Sequence, residues 1–480
     1  MTRTSVSGKA LRVDLGARSS RAEEISSRLR RQYLGARGLN TRGLLDEIPP
    51  GADPLGPENK LFFGIGPLNG TLFPGQRFNV SGKSPQTGIL GDSNAGGFFG
   101  TEMRFAGFDQ VILEGESDRP VWLLLDDGRL EFRDAAELWG LDVWQTTAAI
   151  RKALDDQSTQ VACIGPAAEN GVAFSGIIAN LVRACARTGM GRVMAQKKVK
   201  GIAVRGAGRV DVFDPKGFRR IMADIDKDIE AHPDFPSRKV LGTTRLVSAL
   251  NGLGMLGTQN HRTGYFPHAD LVSGERLATE FNVKQKACFA CTIPCSRFFV
   301  VKEGPHAGLR GEGPEFEALA GFTTRIMNED LPLALKCVDF CNRWGIDAIS
   351  ASGCIAFAME CYEKGIVTRS ETDGLDLRWG NGEAAWQLLG KIGRREGFGD
   401  VLADGVAKAA ERIGRGAETY AMHGKRLEVF LGEPRGIKAY GLGLAVASRG
   451  ADHLRAEPFF ELLDDPELGR QRFGVPEAAM

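Results

Sequence analysis

Cys288, Cys291 and Cys295 fall within eight positions of the stretch ACFACTIPC. Thiolates at that spacing hold iron–sulfur clusters or zinc, and both normally take four protein ligands. Pro294 favours a turn over a helix just before Cys295, which suits ligands carried on one loop. The plainer reading is three buried thiols acting as small hydrophobes. His306, eleven residues beyond Cys295, is the nearest residue that could complete a zinc site. Cys337, Cys341, Cys354 and Cys361 sit in apolar, helix-patterned sequence and read as core residues.

Three further groups of residues could do chemistry. GEGPEFEALAG carries Glu312, Glu315 and Glu317; Pro314 favours the first turn of a helix, where an acid is stabilised by the dipole, so capping accounts for Glu315 without catalysis. ASRGADHLRAEP packs Arg449, Asp452, His453 and Arg455 into seven residues. A lone histidine is more often structural than catalytic, but charges this dense perturb an imidazole toward use as an acid or base. The third group is two glycine-rich, arginine-bearing stretches. One holds Arg77, Asn94, Gly96 and Gly97; the other holds Arg183, Arg187, Gly189 and Gly191. Guanidinium forks and closely approaching backbone N–H groups cradle phosphates. Composition alone fits surface turns equally well, and Gly189-x-Gly191 is not a full dinucleotide fingerprint.

The elements that must position these residues change character along the 480-residue chain. Residues 1–210 are strand-rich: KALRVDLG alternates, KLFFGIG, RFNVSGK and FDQVILEGE are short β-type runs, and Asp127-Gly128 marks a hairpin. Residues 211–415 turn helical, as in DLPLALKCVDFCNRWG and GDVLADGVAKAAERIG, and a softer boundary near 415 opens a last, short region, 416–480. No internal repeat is evident. Net charge is +1, which argues against a nucleic-acid partner, and no apolar run approaches the roughly 20 residues that span a bilayer. Nine cysteines without a leader pattern fit a reducing cytoplasm. The 62 glycines are about twice ordinary usage, as expected where many turns form or backbone lies against something bulky.

Taken together, GARGLN, PPGADPLGPENKLFFGIGPLNGT, GDSNAGGFFGTEMRFAGFD, ARTGMGRVMAQKKVKGIAVRG, ACFACTIPC, GPEFEALAGF, CNRWGIDAISASGCIAFAMECYEKG and ASRGADHLR make the chain resemble the tungsten-dependent aldehyde:ferredoxin oxidoreductase family, from the N-terminus to about residue 460. The resemblance implies an α+β protein: a β-rich first domain forms the base for a bis-pterin cofactor, and two mostly helical domains close over it, the third incomplete. It implies tungsten, or molybdenum in its place, held by two pterins beside a [4Fe-4S] cluster. By motif, Cys288, Cys291 and Cys295 would bind the cluster. Arg77, Asn94, Ala95, Gly96, Arg183, Ala184, Ala186, Arg187, Ile346, Asp347, Arg449 and Arg455 would contact the pterins. Carbonyls of Asn94 and Ala184 would bind Mg2+, and Glu315 and His453 would flank the metal, with Glu317 as the alternative acid.

The family's fourth cluster cysteine lies in an Asp-x-x-Gly-x-Cys motif that this sequence lacks, so that ligand is expected in a segment outside it. Cys185 and Ala186 stand where the family often has glycine. The implied activity is oxidation of small aldehydes to carboxylic acids in the cytoplasm. Electrons would pass to ferredoxin or a ferredoxin-like subunit, and the resemblance implies either a homodimer or a complex with such a subunit. The rival readings are the tungsten subunit of a reductive aromatic acyl-thioester complex and an inactive metal-binding remnant.

Overall fold

The computed structural model describes residues 7–455, 459–462 and 465–476. The N-terminal portion is built from two six-stranded sheets. The first contains β1 (Lys9–Asp14), β2 (Ser19–Glu24), β3 (Leu61–Ile65), β4 (Phe78–Lys83), β5 (Leu90–Ala95) and β6 (Gln110–Glu114), in the order β2-β1-β6-β3-β4-β5. The second contains β7 (Val121–Asp126), β8 (Arg129–Asp134), β9 (Gln160–Cys163), β10 (Ile177–Ala179), β11 (Arg183–Cys185) and β12 (Val199–Arg205), in the order β8-β7-β12-β9-β10-β11.

These orders are the same pattern written twice. In each sheet a hairpin comes first, the sixth strand runs parallel to the first, and strands three, four and five form an antiparallel meander ending at an edge. The duplication is invisible as a sequence repeat because strand order is set by which faces are apolar, not by residue identity. The strand-like runs become β1, β3, β4, β6 and the β7–β8 hairpin, whose turn puts Asp127 at φ 43° and Gly128 at φ 85°. Both residues of a tight I′ turn need positive φ, which is why Asp-Gly sits there. Phe63, Phe78, Phe99, Val111, Leu123 and Ile202 belong to one continuous core shared by the two sheets.

After β12 the chain becomes mostly helical, beginning with the helix Pro215–Ala231. The helix Leu331–Trp344 starts at the Asp330 cap and stops at Gly345, which takes φ 70°. The following helix, Ala348–Glu363, buries almost every side chain and is the axis of a second core. A helix apolar all round must lie inside. Cys337, Cys341, Cys354 and Cys361 are buried in that core, in the structural role their spacing indicates. A three-stranded sheet, β13 (Asn282–Lys286), β14 (Ser296–Val300) and β15 (Arg310–Glu312), interrupts the helical part. Among the described residues, no helix is long and apolar enough to cross a membrane.

Candidate active site

β5 and β11, each the outer strand of its sheet, pack against one another. The Asp92 N–H donates to Thr188 Oγ1 at 3.0 Å, and Ser84 Oγ donates to the Thr188 carbonyl at 2.8 Å, which clasps the two edges. Edge strands leave alternate backbone groups unpaired, so a junction of two edges can receive a ligand. Asn94 and Ala95 end β5, opposite Asn79 and Phe78. Arg77 precedes β4, is exposed, and donates from Nε to Asn94 Oδ1 at 2.5 Å and from Nη2 to the Asn94 carbonyl at 3.4 Å. On the other edge, Arg183 and Ala184 lie opposite Ala179 and Ile178, and Ala186 and Arg187 follow directly. Arg183 is held by Glu312 at 2.6 Å, and Lys286 shares that carboxylate at 3.2 Å.

The second edge runs into a buried knot of charge. Arg187 is 5% exposed; its Nε faces Asp347 at 3.5 Å and Asp452 at 3.6 Å, and its Nη2 donates to the Glu428 and Ala451 carbonyls at 2.7 and 3.2 Å. Asp347 also caps the helix Ala348–Glu363, accepting from the Ile349 and Ser350 N–H groups, while its neighbour Ile346 bridges to Ser175 next to β10. The central helix therefore aims its positive end at the sheet junction. Arg449 pairs with Asp452 at 2.5 Å and donates to the Asp92 carbonyl; Arg455 pairs with the Asp92 carboxylate, which Arg37 approaches at 3.9 Å. Arg449 and Arg187 overcome the effect of burial on Asp452 and hold its carboxyl well below the usual range.

Burial pushes His453 down to about 4, and Arg187, Arg449 and Arg455 work in the same direction against Asp452. The imidazole is neutral at physiological pH and stacks on Phe430 with ring centroids 4.9 Å apart. Glu315 and Glu317 part company. Glu315 is exposed at the N-cap position of the helix Phe316–Gly321, but its carboxylate accepts from Thr243 Oγ1 at 2.5 Å instead of capping the helix. Its charge faces Cys295 and Arg297. Glu317, one helical step further, accepts from the Leu431 N–H at 2.8 Å. Burial pushes it up to about 7 against the pull of that N–H, Arg325 and Arg187. Glu317 and His453 thus share Arg187 and Asp452 as charged neighbours.

The cysteines lie on the loop joining β13 to β14, closed by the Lys286–Ser296 pair. The Cys291 N–H reaches the Cys288 carbonyl at 3.2 Å, and Thr292 Oγ1 ties the loop to Asp226 at 2.5 Å. All three thiols are half-buried. Burial pushes Cys295 up to about 11, assisted by Glu315 and Cys288, so that sulfur ionises only against a cation. Among the described residues, no three His, Cys, Asp or Glu side chains form a ready metal cage. His306 sits in the turn between β14 and β15, a strand's length of roughly 16 Å from Cys295, and does not complete a zinc site.

A large anionic group fits the junction. Arg187 Nε and Nη1 and Arg455 Nε are buried and hydrogen-bond to no described residue. Guanidinium N–H groups so placed are suited to donate to an anion. Beside it, two glycines let neighbouring segments close in on the end of β5. A Cβ on Gly96 would stand 2.8 Å from Cys288 Sγ, and one on Gly97, at φ 95°, would stand 2.4 Å from Asn180 Oδ1. The first contact sets the cysteine loop directly against the β5 edge. Sequence reasoning missed Asp92, Glu428, Arg325 and His261. The signal available was a lone charge inside an apolar run, as in GFTTRIM for Arg325 and LEVFLGEP for Glu428, since such charges are buried only when paired.

Comparison with known proteins meets this geometry from another side. The chain is 40% identical over 454 residues to the tungsten-containing aldehyde ferredoxin oxidoreductase of Thermococcus kodakarensis and 39% identical to that of Pyrococcus furiosus, in each case over 93% of this chain and 74% of the relative. A solved structure, the active-site complex BamBC of benzoyl coenzyme A reductase with 1,5-dienoyl-CoA, superposes with a TM-score of 0.79 at 30% identity, over 89% of this chain and 66% of that one. Residues 10–206 match the family model for the N-terminal domain of aldehyde ferredoxin oxidoreductase and residues 220–478 match that for its domains 2 and 3. The chain belongs to the aldehyde ferredoxin oxidoreductase family.

Proposed function

We propose that this protein oxidises aldehydes to carboxylic acids with a tungsten bis-pterin cofactor seated where β5 meets β11. The observation that carries this reading is the convergence of Arg187, Arg449 and Arg455 on that junction, where Arg187 Nη1 and Arg455 Nε lie buried with no hydrogen-bond partner among the described residues. Arg77, Asn94, Ala95 and Gly96 would hold one pterin from the first sheet, and Arg183, Ala184, Ala186 and Arg187 the other from the second. Ile346, Asp347, Arg449 and Arg455 close over them. Carbonyls of Asn94 and Ala184, at the two edges, would take Mg2+. Cys288, Cys291 and Cys295 would hold a [4Fe-4S] cluster against Gly96, and a ferredoxin-type protein would accept its electrons. When bound, the cofactor supplies the two-electron oxidation.

The protein's own part is proton handling and positioning. His453, neutral and fixed against Phe430, donates a hydrogen bond to the aldehyde oxygen. Glu317, poised near 7, takes the proton released as water adds to the carbonyl carbon. The geometry favours Glu317 over Glu315 here, because Glu315 is exposed, tied to Thr243 and turned toward the cysteine loop. Nine free cysteines and a thiolate cluster suit a reducing cytoplasm. The test is metal analysis of the purified protein with aldehyde-dependent reduction of a viologen dye. Tungsten, iron and aldehyde-dependent turnover support the reading; reduction of an aromatic acyl thioester without aldehyde oxidation would replace it with the rival, and zinc without tungsten would sink both.

A further inference from the structure

GARGLN, KLFFGIG and GDSNAGG meet in one buried line of polar side chains that ends on the β5 edge. Asn79 pairs with Asn94 and Ser81 with Asp92, so these four share one face of the β4–β5 ribbon, while Phe78 and Val80 enter the core on the other. The helix Ala36–Glu47 packs on the polar face through Asn40, which is buried. Asn40 Oδ1 accepts from Gln110 Nε2 at 2.8 Å, and its Nδ2 donates to Asn79 Oδ1 at 2.9 Å. Gly64 leaves the space, since a Cβ there would stand 2.5 Å from Asn40 Oδ1. Asn79 Nδ2 in turn donates to Asp92 Oδ1 at 2.5 Å. The direction of the line is fixed. Asn40 Nδ2 also donates to the Phe62 carbonyl at 3.2 Å and Asn79 Nδ2 to the Ser93 carbonyl at 2.9 Å, and a carbonyl accepts only from the nitrogen end of an amide.

Both amides thus point their donors toward Asp92, and a carboxylate suits that terminus because it accepts at both oxygens. Asn79 takes Oδ1, which leaves Oδ2 for Arg455 Nη2, with Arg37 3.9 Å from the same oxygen. The other hydrogen bond of Arg455 among the described residues runs from Nη1 to the carbonyl of its own neighbour Leu454 at 3.0 Å, and so travels with its segment. The Asp92 backbone is engaged separately, its N–H with Thr188 and its carbonyl with Arg449. A change confined to the Asp92 side chain therefore spares the clasp between the sheets and the Arg449 contact.

We propose that Asp92 is a positioning residue: its carboxylate, aimed by Asn79 and Asn40, holds Arg455 on the β5 edge and leaves the buried Nε of that guanidinium to donate to the cofactor. This rests on the cofactor seat given above. An amide cannot do the same. Both partners of the carboxylate are donors, and an amide accepts at one end only, so Asp92→Asn must turn its NH2 against one of them. Asn79 is fixed by Asn40, by the Ser93 carbonyl and by Ser81 Oγ at 2.7 Å, so the contact that gives way is the one to Arg455.

The experiment is hydrogen–deuterium exchange by mass spectrometry on the purified full chain, with tungsten release into a chelator followed in parallel, for wild type, Asp92→Asn, Arg455→Met and the double variant. Asp92→Asn is expected to speed exchange over residues 449–455 by about tenfold, to leave residues 78–95 as protected as in wild type, and to speed tungsten release by a similar factor. Arg455→Met should do the same, and the double variant should go no further, because both single changes remove one contact. If Asp92→Asn folds poorly, Asp92→Ser, which drops the contact while its hydroxyl rotates to suit Asn79, is read the same way. Unchanged exchange over 449–455, an equal rise over 78–95, or single effects that multiply in the double variant would each overturn the proposal. So would faster exchange with unchanged tungsten release, since Arg455 would then hold its segment and not the cofactor. Faster exchange confined to 449–455, in a protein whose wild-type form holds no tungsten, leaves the grip of Asp92 on Arg455 standing and refutes the proposed function instead.

Discussion

The two sheets of the base share one strand order, yet they treat their outer edges differently. The first presents β5 with an exposed arginine, Arg77, tethered only to Asn94, and receives the cysteine loop against Gly96. The second presents β11 followed by a buried arginine, Arg187, locked between Asp347 and Asp452. One topology thus offers an exposed side beside the cysteine loop and a buried, charge-dense side. An edge gains its chemistry from what the rest of the chain lays across it, and the sheet supplies only the place.

That contrast can be broken by unequal responses to matched substitutions. The largest effect is expected for Arg187→Met, which leaves Asp347 and Asp452 without their shared partner. Tungsten content should fall below about a tenth and unfolding free energy by about 3–5 kcal/mol, read by elemental analysis and denaturant titration. Glu317→Gln should leave metal loading intact and lower kcat by about 10²–10⁴-fold. Because the Glu317 carboxyl is pushed up to about 7, wild-type activity should decline as pH drops through about 7, and the variant should lose that limb. His453, held near 4, contributes no limb between pH 5 and 9. Stability runs the opposite way: a raised folded pKa makes Glu317 favour folding most below 4.5, a contribution lost as pH rises to about 7 and absent from the variant.

Gly96→Ala should drive the cysteine loop off the β5 edge, so iron is lost while tungsten stays; equal loss of both metals would show that the two sides are not separable. Arg77→Met should lower tungsten content less than Arg187→Met does, since Arg77 is tethered to Asn94 alone and leaves no buried carboxylate unpaired. Smallest of all, Glu315→Gln is expected to change turnover by less than about threefold. A loss as deep as that of Glu317→Gln would reverse the assignment of the two acids.

Much of this was legible in the chain as written. β1, β3, β4, β6 and the Asp127-Gly128 hairpin follow from alternation and turn chemistry, and the core cysteines follow from helical spacing. The duplication of the sheets was not, because two strands of equal role share a pattern of burial and not of residues. His306 looked like a zinc ligand by separation alone; an intervening strand carries it away. The choice between Glu315 and Glu317 could not be read either. A spacing of two on a helix turns side chains to different faces, and only the packed neighbours say which face is the site.

What the sequence determined by itself is local: which stretches are strands or helices, which cysteines share a loop, and which residue types stand ready to bind an anion. What tertiary structure alone decided is which of those groups become partners. Arg187 and Asp347 are 160 positions apart, and Asp92 and Arg455 363, yet each pair meets largely out of water. Charges so placed shift one another strongly because water is excluded between them, and that exclusion exists only after folding.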